Sequence, residues 1–215
     1  MRTIASLVLV STIVFGVAQS VNSQEEAWEN ADRIEIKLVD PLDEPRGWCV
    51  DLFAHLRNAL PLGGFQGHNC FLDMQRGPTE DQGFDAAKLD EQGILHLAYW
   101  DVCLTLHDPN PRSFVAAESC IGEAAQEFEW NSDGQIIPKM APELCLTLGS
   151  TTIPGGGRLA PVGARPPKDN VDIPQIRRLS FETCNDENAV LQRWEPRREY
   201  ERVEATFPSR FLDAN

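Results

Sequence analysis

With 33 acidic against 19 basic side chains in 215 residues, a net charge of −14, the chain repels phosphate backbones and acidic polysaccharides over a Debye length, which argues against nucleic acid as a partner. Six cysteines without a C-x-x-C pair, and four histidines (His55, His68, His96, His107) without ligand spacing, argue against a metal centre and for disulfides.

Residues 1–23 place one basic residue, Arg2, ahead of an uncharged apolar run from Ile4 to Val17 and the small-residue stretch Gly16-Val17-Ala18-Gln19-Ser20. This is the pattern of a secretory signal peptide, too short and wrongly flanked for a membrane span. Cleavage between Ala18 and Ser23 leaves 18 basic against 33 acidic residues. Export, to the extracellular space or a periplasm, explains the cysteines, because disulfides persist in oxidising compartments. No later segment has the length of a spanning helix.

Residues 24–31 are acidic and aperiodic, as expected of a flexible lead-in. Arg33–Leu38 alternates strictly, the mark of a half-buried strand. Pro41, Pro45 and Gly47 turn the chain into a strand at Trp48–Leu52. Further strands are predicted at Phe65–Cys70, Gly83–Ala86, Ile94–Leu97, Val102–Leu106, Phe114–Ala117, Glu127–Trp130, Ile136–Lys139, Leu144–Leu148, Arg178–Glu182 and Leu191–Trp194. Turn residues such as Asp108-Pro109-Asn110-Pro111 and Asn131-Ser132-Asp133-Gly134 separate them. One stretch is helix-like, Asp51–Leu60, where Leu52, Leu56 and Leu60 fall four apart. Ile153–Gln175, with Gly155-Gly156-Gly157 and Pro161, Pro166, Pro167 and Pro174, disfavours strand and helix alike and reads as a long exposed loop. Residues 199–215 form a charged tail with spaced apolar residues.

An internal repeat runs through these elements. Cys49-Val50-Asp51-Leu52 is followed by Cys70 and Gln82-Gly83-Phe84; Cys103-Leu104-Thr105-Leu106 by Cys120 and Gln126-Glu127-Phe128; Cys145-Leu146-Thr147-Leu148 by Cys184 and Gln192-Arg193-Trp194. Two cysteines per unit imply that each unit closes on itself, as Cys49–Cys70, Cys103–Cys120 and Cys145–Cys184. Three units of short strands cannot each bury an apolar face alone, and a propeller typically needs at least four blades. The expected architecture is therefore all-β, a β-trefoil with three pseudo-symmetric lobes around a closed barrel over residues 32–198. Phe84, Phe128 and Trp194 should point into its core, and the glutamine amides should tie down backbone in their own lobes.

The Cys-Val-Asp-Leu run, the second cysteine and the Gln-x-aromatic triplet, three times in phase, resemble the ricin B-type (R-type) lectin domain. The resemblance implies one potential sugar site per lobe. There an Asp two residues after the first cysteine accepts hydrogen bonds from two hydroxyls. An aromatic shortly before the second cysteine stacks on the sugar, and a polar residue just before or at the triplet glutamine adds further bonds. Carried onto lobe one, these roles fall on Asp51, His68 with Asn69 beside it, and Asp81 with Gln82. His68 is smaller than the Trp or Tyr usual in the family, which implies weaker affinity, and the insertion Gln75–Glu80 bears on the position of Asp81. Lobes two and three have Thr105 and Thr147 in place of the Asp, with Ser119 and Thr183 before their second cysteines. One hydroxyl cannot replace a two-oxygen anion, so both lobes read as structural. The plain alternative for Asp51 is a strand-end acid capping a local turn.

No G-x-S-x-G, H-E-x-x-H or Walker pattern occurs, and Gly155-Gly156-Gly157-Arg158 lacks the Lys-Ser/Thr of a P-loop. A non-catalytic protein without cofactor or metal is expected. Its partner is either a neutral, galactose-type glycan or a protein held by a trefoil scaffold, as in a subunit of a larger secreted or toxin-like assembly.

Overall fold

The computed structural model describes residues 25–198 except 27, 55, 72–76 and 156–173. The expected signal peptide, the centre of the Ile153–Gln175 loop and the tail at 199–215 lie outside the described residues. The strands are β1 (Arg33–Leu38), β2 (Trp48–Leu52), β3 (Phe65–Asn69), β4 (Phe84–Asp85), β5 (His96–Leu97), β6 (Val102–Leu106), β7 (Ser113–Ser119), β8 (Phe128–Trp130), β9 (Ile136–Pro138), β10 (Leu144–Pro154), β11 (Gln175–Thr183) and β12 (Trp194–Arg197). The main sheet runs β10-β11-β3-β2-β1-β4-β5-β6-β7, β12 pairs with β1, and β7 also pairs with β11, so that the pairings return on themselves. Strands β8 and β9 form a separate hairpin.

Alternation accounts for the core. Ile34, Ile36 and Leu38 of β1, Leu104 and Leu106 of β6, and Leu144, Leu146 and Leu148 of β10 are buried together. Phe84, Phe128 and Trp194 lie in the same cluster, at most 2 % exposed. Phe128 stacks on Phe181 at 5.8 Å, and Trp194 donates its indole N–H to the Leu146 carbonyl at 2.9 Å. Three disulfides bridge Cys49 to Cys70, Cys103 to Cys120 and Cys145 to Cys184, one in each repeat.

Five segments differ from expectation. The ends of the expected Ile153–Gln175 loop are strand, with Ile153 paired to Ile176 and Pro154 to Gln175. Asp51 and Leu52 complete β2, and the chain then makes two short 3-10 turns, Leu56–Asn58 and Pro61–Gly63. Leu52 is buried in β2 while Leu60 is exposed, so the four-residue leucine spacing is not a helical stripe. A helix forms instead at Ala86–Gln92, where a strand was expected to end. Asp85 caps it by accepting from the Ala87 and Lys88 N–H groups, and Gly93 closes it in the left-handed region. The expected strand Leu191–Trp194 is a helical turn, Ala189–Gln192, leading into β12. Finally, the described part of the lead-in packs against the body at Trp28. Residues 28–30 are helical and Trp28 is 4 % exposed, its indole edge-on to Tyr99 at 5.8 Å with the Arg33 guanidinium 4.2 Å above it.

Candidate functional site

One hydrogen-bond device recurs in all three lobes, built on the triplet glutamine behind the disulfide. In lobe two, Gln126 Nε2 donates to Thr105 Oγ1 at 3.1 Å and to the Ser119 carbonyl at 2.9 Å, while its Oε1 accepts the Ile121 N–H at 3.0 Å. In lobe three, Gln192 Nε2 donates to Thr147 Oγ1 at 3.0 Å and the Thr183 carbonyl at 3.1 Å, and its Oε1 accepts the Asn185 N–H. Lobe one repeats it: Gln82 Nε2 donates to Asp51 Oδ2 at 2.9 Å and the Asn69 carbonyl at 3.2 Å, and Oε1 accepts the Phe71 N–H. Each amide thus ties the strand of the first cysteine to the backbone on both sides of the second. All three glutamines are buried, where an amide left without partners would be costly.

Lobe one departs from this rule at a single position, the one occupied by Asp51. Where the other lobes carry a neutral threonine, this carboxyl is 0 % exposed. Its Oδ1 accepts from Gln66 Nε2 at 2.9 Å, across the register pair Asp51–Gln66 of β2 and β3. Burial pushes its pKa well above the usual carboxylate range, and the nearby Asp81 pushes it further, against the pull of the two amides. Asp81 is itself fully buried. It accepts from the Thr79 hydroxyl at 2.7 Å and from the Leu56 N–H, and so pins the turn Leu56–Asn58 against β2.

The structure therefore brings Asp51, Asn69, Gln82 and Asp81 into one buried group. Asn69 enters it by its backbone; its side chain accepts the Gln175 N–H at 2.9 Å and ties β3 to β11. His68, 5 % exposed, donates from Nδ1 to the Asn69 carbonyl and has its ring covered by Phe71, with centroids 4.7 Å apart. Two residues of the site went unread in the sequence. Gln66 is the half-exposed partner of Asp51, and Phe71 is the half-buried ring beyond the disulfide. The signal for Gln66 is its place on β3, four residues before Cys70, facing the Cys-x-Asp strand. A second polar cluster lies in lobe two, where His96 Nε2 meets Asp101 at 3.0 Å and Nδ1 stands 3.7 Å from Asp85. The next potential ligand is the disulfide sulfur of Cys120, which has no thiolate to offer a metal.

No protein-family model and no curated protein matches the chain. Solved structures do. An agglutinin from Abrus precatorius matches at 18 % identity and a TM-score of 0.50, over 77 % of this chain and 48 % of the agglutinin chain. The β-trefoil lectin of the Vibrio vulnificus hemolysin/cytolysin, solved with N-acetyl-D-lactosamine bound, matches at 16 % identity and 0.47, over 80 % of this chain and 97 % of that one. The chain thus spans about half the length of the agglutinin chain. Repeat, disulfides and the likeness to the agglutinin agree on the architecture: this is an all-β protein with a β-trefoil fold.

Proposed function

We propose that the chain is a secreted, non-catalytic, lectin-like protein of the R-type kind, a closed-barrel trefoil with one competent sugar site, in lobe one. The observation that carries this reading is the Asp51–Asp81 pair. Threonine performs the structural task at the same place in the other two lobes, so a carboxylate there adds desolvation and like-charge repulsion without improving the scaffold. Groups that break a local rule at a cost to stability are marks of a functional site. The sugar's route to Asp51 is from the side of Gln66, the half-buried amide partner, which once displaced can serve a second hydroxyl. The acidic surface favours a neutral ligand of the galactose type. The apolar N-terminal run and the three disulfides support export, and no described helix is long and apolar enough to cross a membrane.

Titration calorimetry or ligand-observed NMR against galactose- and N-acetylgalactosamine-type sugars tests the proposal. Affinity should be weak, on the order of millimolar, because the sugar must displace the Gln66 amide to reach the buried carboxyl. Asp51→Thr should cost about 0.5–1.5 kcal/mol of binding, the worth of one hydrogen bond. Asp108→Asn, in the exposed turn after β6, should cost nothing. Undiminished binding by Asp51→Thr would remove Asp51 from the site.

A second reading, a scaffold for a protein partner in a larger assembly, is favoured by one apolar surface. Phe53, Leu60, Leu62 and Phe114 are 42 % to 101 % exposed. They are contiguous: the Phe53 N–H donates to the Gly64 carbonyl, the Leu60 N–H to the Phe53 carbonyl, and Gly64 abuts Phe114. Exposed apolar patches of this kind mark docking surfaces. A chain that binds no neutral glycan but captures a protein through this patch would establish the scaffold instead.

A further inference from the structure

An opening beside lobe one lies away from Asp51. It is a cleft of about 390 Å³ between the N-terminal turn and the end of the lobe-one insertion, lined by Trp28, Glu29, Arg33, Arg57, Thr79 and Glu80. We infer that this cleft is a saccharide subsite, separate from the Asp51 group and built by residues outside the repeat motif; the inference rests on the carbohydrate-binding reading above.

Three properties of the cleft carry it. Its lining is charge-balanced, two guanidiniums against two carboxylates, in a chain with a net charge of −14. An anion entering would meet Glu29 and Glu80, and a cation would meet Arg33 and Arg57. A neutral polyol meets partners for both of its capacities, because a hydroxyl donates to carboxylates, which only accept, and accepts from guanidiniums, which only donate. Secondly, the donors are held in place. Arg33 lies 4.2 Å above the Trp28 indole. Arg57 lies 5.1 Å above the Tyr99 ring, with Glu80 at 2.8 Å and Glu25 at 3.2 Å. Preorganised polar groups lose little further freedom on binding. Thirdly, the volume falls within the span of small-molecule sites, roughly 300–1,000 Å³. The cleft also adjoins the lobe-one group, since the Thr79 hydroxyl on its wall donates to Asp81 at 2.7 Å.

The indole N–H resonance of Trp28, assigned by its absence from Trp28→Phe, reports occupancy of the cleft directly. The mature protein is titrated with the neutral disaccharides lactose and cellobiose, in wild type and in Asp51→Thr. A saturable shift of the Trp28 resonance is expected in both. It should weaken about ten-fold or more in Arg57→Ala and in Glu80→Gln, the loss expected for one charge-assisted hydrogen bond. Glu80→Gln keeps the size of the side chain, and intact disulfides with an unchanged unfolding midpoint verify its fold. A Trp28 resonance that stays silent while the sugars bind through Asp51 overturns the cleft and leaves the lectin reading standing. A shift that persists undiminished in both cleft variants likewise overturns it. Wild type that binds neither disaccharide nor monosaccharide overturns both.

Discussion

Two carboxyls packed together out of water make lobe one sensitive to pH in a way the other lobes are not. Burial first, and Asp81 second, raise the Asp51 pKa above its unfolded value. The folded state therefore holds that proton more tightly than the unfolded chain, and folding is favoured most where the carboxyl is protonated. This stabilisation is complete below the unfolded carboxylate range, about pH 4, and is lost as pH rises through the elevated folded pKa. Asp51→Thr removes the group and supplies the hydroxyl that Gln126 and Gln192 already use. The expected outcome is a variant more stable than wild type at neutral pH, with the advantage shrinking toward pH 4. Denaturant titrations at several pH values measure it, and a constant difference across the range would show that Asp51 does not titrate as argued. At this scale the sequence was informative about identity and silent about access. Repeat phase paired Asp51 with Gln82, as it paired Thr105 with Gln126 and Thr147 with Gln192; His68, Asn69 and Asp81 were named by the family resemblance. Neither reading could show that the group is closed, since closure comes from Gln66 and from the turn that Asp81 pins, neither of which belongs to the repeat.

The elements most legible in the sequence were those with long alternating runs, such as β1 and β6, where one residue in two must face the core. The helix Ala86–Gln92 was missed because Ala86 is its one buried residue, leaving no apolar stripe to read; its signals were instead the Asp85 cap and Gly93. That helix is docked by its end. Gly93 has φ +69°, and a Cβ there would stand 2.4 Å from the Phe128 carbonyl oxygen, whose strand is held by the Phe128 N–H donating to the Gly93 carbonyl at 2.8 Å. Gly122 offers a matched comparison, with φ +70° and nothing within 4 Å. Gly122→Ala should therefore cost only the left-handed backbone strain, about 1–2 kcal/mol. Gly93→Ala should cost that and the displacement of β8 besides. Equal losses in chemical denaturation would mean that β8 gives way freely and that the helix end is not a fixed contact.

Over the whole molecule, the three-fold plan was readable because each lobe cannot complete a core alone, so every unit repeats an aromatic, a glutamine amide and a bridge. What the repeat left open is how lobe one is covered by the N-terminal turn through Trp28, since one aromatic in an acidic segment carries no period. The bridges also provide a graded test of how the lobes share stability. They close rings of different size, with cysteines 17 residues apart in lobe two, 21 in lobe one and 39 in lobe three. If each acts mainly by restricting the unfolded chain, replacing both cysteines by alanine should cost about 3.1, 3.3 and 3.9 kcal/mol respectively. Lobe three should gain most from its bridge because its ring is the longest. Equilibrium unfolding in guanidinium of the three double variants gives the order directly, provided the m-values stay equal. If lobe two proved the most sensitive, packing of the folded lobe around its sulfurs, rather than ring size, would govern the contribution of each bridge.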